Sequence, residues 1–201
     1  LTALFPVPYI RFNLRIFVYA QNPEGKMIGI IYGSSTLNTE YVSQKLLQSM
    51  GRDQARLHNV KDTQVDLIRD YRSMVFVTST WGRGDLQDDW ERFFPFLDQV
   101  DFTGKAVGLV GLGDQHNYPD NFCDSLWILH QKVLERGGTV VGHTSTEDYE
   151  FKSSRAEKDG RFVGLVIDED NQADRTDQRI RDWVTAVLPM LSRPAEPGAT
   201  A

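Results

Sequence analysis

Residues 27–40 read MIGIIYGSSTLNTE, and the fold is decided here. The run MIGIIY (27–32) has no charged side chain and no polar alternation, the pattern of a strand buried on both faces. It passes directly into Gly33-Ser34-Ser35-Thr36-Leu37-Asn38-Thr39, after which Val42, Leu46, Leu47 and Met50 recur on one face of a helix over 38–50. A fully buried strand feeding a helix is the opening half of a parallel α/β unit. The pattern repeats along the chain. ARLHNV (55–60), SMVFVTS (73–79), KAVGLVG (105–111), GTVVG (138–142) and FVGLVI (162–167) read as strands. Helical periodicity predicts helices over 63–71, near 88–97, over 119–136 and from about 176 to 191. Strands alternating with helices give a parallel sheet with helices on both faces. Right-handed crossovers then put a ligand at the carboxyl ends of the strands, where the strand order reverses.

Composition excludes several classes. The chain has 201 residues, 40% hydrophobic and 25% charged, which fits one globular domain and no low-complexity tract. No stretch reaches the roughly 18 uninterrupted apolar residues of a membrane span. A net charge of −6 repels phosphate backbones, so nucleic acid is not an expected partner. The single cysteine, Cys123, forms no internal disulfide, and none of the four histidines makes an H-x-x-x-H pair. A cytoplasmic address follows, and no metal site. Residues 1–26 differ from the rest: apolar, interrupted by Arg11 and Arg15, and closed by Asn-Pro-Glu-Gly. Basic residues in the middle do not suit a secretory signal. The expectation is an N-terminal extension outside the fold, upstream of a natural start at Met27, followed by a working domain over 27–192 and a disordered tail over 193–201.

Three strand-end loops carry the chemistry. The first, 33–39, presents five hydroxyl or amide side chains at a helix N-terminus, more than capping needs, and suits a phosphate. Without the Gly-Lys-Ser/Thr of a triphosphate loop or the G-x-G-x-x-G of a dinucleotide turn, a monophosphate held by neutral donors fits best. The second, Thr80-Trp81-Gly82-Arg83-Gly84-Asp85, places a tryptophan beside two glycines. The third, Gly111-Leu112-Gly113-Asp114-Gln115-His116-Asn117-Tyr118, offers polar donors and another aromatic. An aromatic from each of two neighbouring loops can sandwich a flat ring system.

With these residues in place, GSSTLNTE, STWGRGDLQDDW, GLGDQHNYPDNF and FVGLVIDEDNQ resemble the long-chain bacterial flavodoxins, over essentially all of 27–191. The resemblance implies a flavodoxin-like three-layer α/β sandwich around a five-stranded parallel sheet of order 2-1-3-4-5, with the polar stretch 143–162 as a long-chain insertion splitting the last strand. It implies non-covalently bound FMN, its phosphate on Ser34, Ser35, Thr36, Asn38 and Thr39. Trp81 and Tyr118 would flank the isoalloxazine, and Thr80, Gly82, Gly113, Asp114 and Asn121 would line its edge. The implied function is a low-potential one-electron carrier between a reductase and acceptor enzymes, with no catalytic residue of its own. By the same resemblance the Gly82–Arg83 peptide turns toward the flavin on reduction, a motion that glycine makes sterically cheap. Leu37 stands where the family commonly has glycine. Arg83 and His116 stand where it often has apolar residues, and positive charge close to the ring would raise the second reduction potential.

Asp85, Asp88, Asp89 and Glu91, together with Asp168, Glu169 and Asp170, are either solvated surface or a steering field for transient docking of basic partners such as a flavodoxin/ferredoxin-NADP reductase. The expected state is a monomer. His58, Cys123, His130 and His143 read as packing or surface residues, Cys123 and His130 within the 119–136 helix. The alternative function is an FMN-dependent NAD(P)H quinone or azo reductase on the same fold, for which no nicotinamide site is evident. A binding module for another monophosphate would leave Trp81 and Tyr118 unexplained.

Overall fold

A computed structural model describes residues 27–192. The expectations for 1–26 and 193–201 lie outside the described residues. The elements run β1 (Ile28–Tyr32), α1 (Asn38–Met50), β2 (Ala55–Asn59), α2 (Val65–Asp70), β3 (Ser73–Trp81), β4 (Asp85–Leu86), α3 (Asp88–Phe93), β5 (Ala106–Leu112), α4 (Ser125–Glu135), β6 (Thr139–Val141), β7 (Thr144–Ser145), β8 (Glu157–Lys158), β9 (Arg161–Phe162), β10 (Leu165–Ile167) and α5 (Thr176–Ser192).

The main sheet is parallel in the order β2-β1-β3-β5, and the next position is shared by two short strands. β6 pairs with the first half of β5, Ala106 opposite Thr139 and Gly108 opposite Val141. β10 pairs with the second half, Val110 opposite Leu165 and Leu112 opposite Ile167. The two apolar runs 138–142 and 162–167 are therefore halves of one fifth strand. The segment between them carries the small antiparallel sheet β7-β9-β8. The expected 2-1-3-4-5 order and split last strand are what the chain forms.

Both faces of the sheet are covered, as fully buried strands require. Ile31, Met74, Phe76, Val107 and Leu109 pack with Trp90, Phe102, Leu126 and Leu129 on one side. Ile30, Val75, Val77 and Val110 pack on the other with Val42 and Leu46 of α1 and Trp183 and Val187 of α5. Burying a large side chain of this kind contributes about 1.5–3 kcal/mol against leaving it exposed.

Three local differences from the sequence reading matter to the site. β3 extends to Trp81 because Thr80 and Trp81 pair antiparallel with Leu86 and Asp85. The predicted 88–97 helix is one α-helical turn and a half, then a 3-10 segment over Phe94–Gln99, with Pro95 at its start. The predicted 119–136 helix begins only at Ser125, since residues 119–124 are successive turns and Cys123 has a left-handed φ of 55° that no α-helix accommodates.

Candidate functional site

The carboxyl ends of β1, β3, β5 and β10 open onto one cavity of about 410 Å³, lined among others by Thr36, Asn38, Thr39, Thr80, Trp81, Gly82, Gly113, Asp114, Tyr118 and Asn121. That volume lies within the roughly 300–1,000 Å³ usual for small-molecule and cofactor sites. Of the predicted site residues only Ser34 and Ser35 are outside its lining; on the same turn, Ser34 Oγ accepts from the Glu40 N–H at 3.4 Å and Ser35 Oγ from Gln87 Nε2 at 3.0 Å.

The first wall is the N-terminus of α1. Its cap residue Leu37 sits in the left-handed region, φ 72° and ψ −20°, and makes no capping hydrogen bond of its own, while Ser34 Oγ takes the Glu40 N–H from two residues into the helix. First-turn N–H groups without an internal partner, with the helix dipole behind them, form an anion site. The hydroxyls of Thr36 and Thr39 and the Asn38 amide surround that position, and among the described residues no lysine or arginine lines the cavity. The chemistry of this set fits a phosphate monoester held by neutral donors. An L-residue is strained at this φ, and Leu37 adopts it while remaining 70% exposed.

The second wall is the β3–β4 hairpin. Gly82 (φ 55°) and Gly84 (φ 103°) flank Arg83, whose N–H donates to Asp85 Oδ2 at 3.3 Å, and the Gly84 N–H closes the turn on the Trp81 carbonyl. Trp81 Nε1 donates to Ser79 Oγ at 2.9 Å and leaves the indole 40% exposed beside the cavity. Thr80 Oγ1 is engaged with Ser125 at the start of α4, 2.8 Å to Oγ and 3.2 Å to the N–H, so Thr80 contributes a fixed wall more than a free hydroxyl. Arg83 and His116 are exposed and neither lines the cavity.

The third wall is the 113–121 turn, where Tyr118 is 57% exposed. Asp114 organises it, accepting from the N–H groups of His116 and Asn117 and from the side-chain amides of Asn117 and Asn171. Burial pushes its carboxyl up, but these hydrogen bonds outweigh burial and hold it below the usual carboxylate range. Asp170, also at the cavity, is raised by burial and by the charges of Asp114 and Asp168.

Sequence reasoning placed Asp168 with the surface acids, and the structure corrects this. Asp168 is fully buried and accepts four N–H donors: the backbone of Gln115, Asp170 and Asn171, and the Asn171 side chain. A carboxylate can be buried there because donors from two loops converge on it. Cys123 is no helix residue; it is buried in the cavity wall, and burial with the nearby Asp168 and Asp124 charges raises its thiol well above the ordinary value. Phe122, Leu112 and Ser79 also line the cavity and were not singled out by sequence, and Glu169, read from sequence as a solvated or steering acid, lines it too. Phe122 and Leu112 have the side chains of ordinary core, so only their position at the strand end separates them from it. Gln87, buried beneath the first two walls, gave no signal at all.

The flavodoxin family model matches residues 30–183. A flavodoxin from Nostoc sp. is 46% identical over 159 residues, covering 79% of this chain and 94% of its own, and Flavodoxin 1 of Escherichia coli is 39% identical over 160 residues, covering 79% and 91%. Among solved structures, Fusobacterium nucleatum flavodoxin bound to flavin mononucleotide is similar with a TM-score of 0.79 at 35% identity, covering 83% of this chain and 99% of that one. A family match over most of the described fold, relatives covered over nine-tenths of their own length and a cavity with phosphate-binding donors and two exposed aromatics lead to one conclusion: this chain belongs to the flavodoxin family.

Proposed function

We propose that residues 27–192 form an FMN-binding unit in which Ser34, Ser35, Thr36, Asn38 and Thr39 hold the phosphate, Trp81 and Tyr118 flank the isoalloxazine, and Thr80, Gly82, Gly113, Asp114 and Asn121 line its edge. The observation that carries this reading is the cavity itself, with a helix N-terminus whose cap residue makes no side-chain hydrogen bond at one wall and exposed aromatics on the other two. As a flavodoxin the chain is an electron-transfer protein and not an enzyme, and it works between redox partners.

FMN supplies one-electron chemistry; the polypeptide sets how readily each electron is accepted. Trp81 and Tyr118 exclude water from the ring faces, and Asp114, Glu169 and Asp170 at the cavity make added negative charge costly. Both effects lower the potential of the second electron. The Gly82–Arg83 peptide lies in the hairpin that bounds the cavity, with glycine supplying the left-handed backbone. Among the described residues no helix is long and apolar enough to cross a membrane. We place the protein in the cytoplasm as a monomer.

Partner choice rests on charge. Asp85, Asp88 and Glu91 are exposed on the hairpin that bounds the cavity and on α3, which follows it. They favour brief encounters with a basic reductase of the flavodoxin/ferredoxin-NADP type and with basic acceptors. The rate of reduction by such a reductase falls as salt rises, and a salt-independent rate removes the steering argument. The deciding experiment is stepwise reductive titration of the full chain after incubation with FMN. One FMN per chain, reduced in two resolved one-electron steps, supports the carrier; failure to bind FMN overturns the site assignment.

A further inference from the structure

The phosphate turn and the ring-binding hairpin come from different strands, yet one buried side chain joins them. Gln87 follows β4 directly and is 1% exposed. Its Oε1 accepts from the Asp89 and Trp90 N–H groups, at 3.1 and 3.3 Å, and so caps α3. Its Nε2 donates to Ser35 Oγ at 3.0 Å and to Asp89 Oδ2 at 3.2 Å. Because the helix cap takes the amide oxygen, the amide nitrogen is left pointing at the phosphate turn. Ser35 Oγ is thereby used as an acceptor, and its own proton remains available to an oxyanion.

The surroundings leave little slack. A Cβ on Gly33 would lie 2.2 Å from Gln87 Oε1 and 2.7 Å from Trp90 Cδ1, so the turn closes directly onto this side chain. Trp90 is itself fixed by donation from Nε1 to the Val77 carbonyl at 2.8 Å. On the other side Leu86, the neighbour of Gln87, pairs with Thr80, and Asp85 pairs with Trp81. A movement of Ser35 is therefore passed through one amide to the hairpin that holds Trp81 and Gly82.

We propose that Gln87 is a positioning residue that couples the two halves of the site, so that filling the phosphate turn raises affinity for the ring. The proposal rests on the FMN reading above. Ordering Ser35 around an oxyanion fixes Gln87, and a fixed Gln87 restrains the hairpin before the ring arrives; by linkage the effect is reciprocal.

The test separates the two halves of the ligand. Riboflavin carries the ring without the phosphate, and inorganic phosphate fills the other subsite. Riboflavin affinity of the flavin-free full chain is measured by fluorescence quenching, with and without saturating phosphate, for the wild type, Gln87→Leu and Ser35→Ala. In the wild type phosphate tightens riboflavin about fivefold or more, and in either variant the ratio falls to within about twofold of one. Ser35→Ala leaves the α3 cap in place, so it decides the matter if Gln87→Leu does not fold. Loss of folding stability alone would not change the ratio, which compares one folded protein with itself. A wild-type ratio of one, or an undiminished ratio in Ser35→Ala, overturns the proposal. If the wild type fails to bind FMN at all, the cofactor reading falls instead, and the two failures are distinct.

Discussion

The turn after β1 and the hairpin after β3 solve the same backbone problem with different residues. Both must place left-handed backbone at the edge of the cavity. The hairpin uses Gly82 and Gly84, whereas the 33–39 turn uses Leu37. Glycine enters that region freely, while an L-residue is strained there by roughly 1–2 kcal/mol. The leucine recovers little by packing, being mostly exposed. The contrast shows that one of the two turns is built at its conformational optimum and the other is not, and this can be tested residue by residue.

The largest effect is expected at Gly84. A Cβ there would lie 2.4 Å from Arg155 Nη2 and 2.8 Å from Asp124 Oδ2, at a φ of 103°. Those two side chains form an ion pair at 2.8 Å whose carboxylate is almost completely buried. Gly84→Val should cost about 3 kcal/mol or more of stability in urea unfolding, because strain is added to separation of a buried charge from its partner. Gly82→Ala meets only Asp85 Oδ2, at 2.6 Å, the end of a side chain that can move. It should cost about 1 kcal/mol and bring the two one-electron potentials of bound FMN closer together in a redox titration. An unchanged titration would remove the peptide turn from the account.

Leu37→Gly runs the other way. Relief of strain less the added freedom of the unfolded chain should stabilise the protein by about 0.5–1 kcal/mol, read from the urea midpoint. A loss of stability would show that Leu37 is held by contacts the comparison ignores. The turn after β5 supplies the smallest test, since it relies on the Asp114 carboxylate in place of left-handed backbone. With the Asp114 pKa depressed in the folded protein, its contribution is complete above the ordinary carboxylate value near pH 4 and is lost as pH falls through the lower folded value. Wild type and Asp114→Asn should therefore differ in stability at neutral pH and converge at strongly acid pH.

How much of this is legible in sequence depends on the range of the interaction that decides it. The strands at 28–32 and 106–112 and the buried part of β3, 73–78, are legible because burial on both faces writes a nearly continuous apolar run. The three loops are legible because hydroxyls and aromatics at strand ends have few other uses. The start of α4 is not: residues 119–124 keep a helix-like apolar spacing, but hydrogen bonds from the insertion replace helical ones, with the Phe122 N–H bound to the Ser153 carbonyl. Asp168 and Glu169 are adjacent acids, yet the first is buried and the second lines the cavity. Nothing local separates them, because the donors that bury Asp168 include Gln115, far off in sequence. Gln87 is hidden for the same reason, since its meaning lies in Ser35.

The divided fifth strand has a consequence for how the molecule opens. Val141 pairs beside Gly108 and Leu165 beside Val110, so the chain leaves the sheet and returns almost where it left. Residues between these points form a detour fastened by the Thr144 hydroxyl to the Gly164 carbonyl and by the Tyr149 hydroxyl to the Val166 carbonyl. Without a continuous strand to carry strain from β6 to β10, hydrogen exchange should show the two halves opening as separate cooperative units. β10 leads directly into the Asp168–Asn171 loop. Its opening would withdraw Glu169 and Asp170 from the cavity lining, and the Asp168 and Asn171 bonds from the 113–121 turn, while the phosphate turn stayed folded, giving a bound flavin an exit that does not require the protein to unfold.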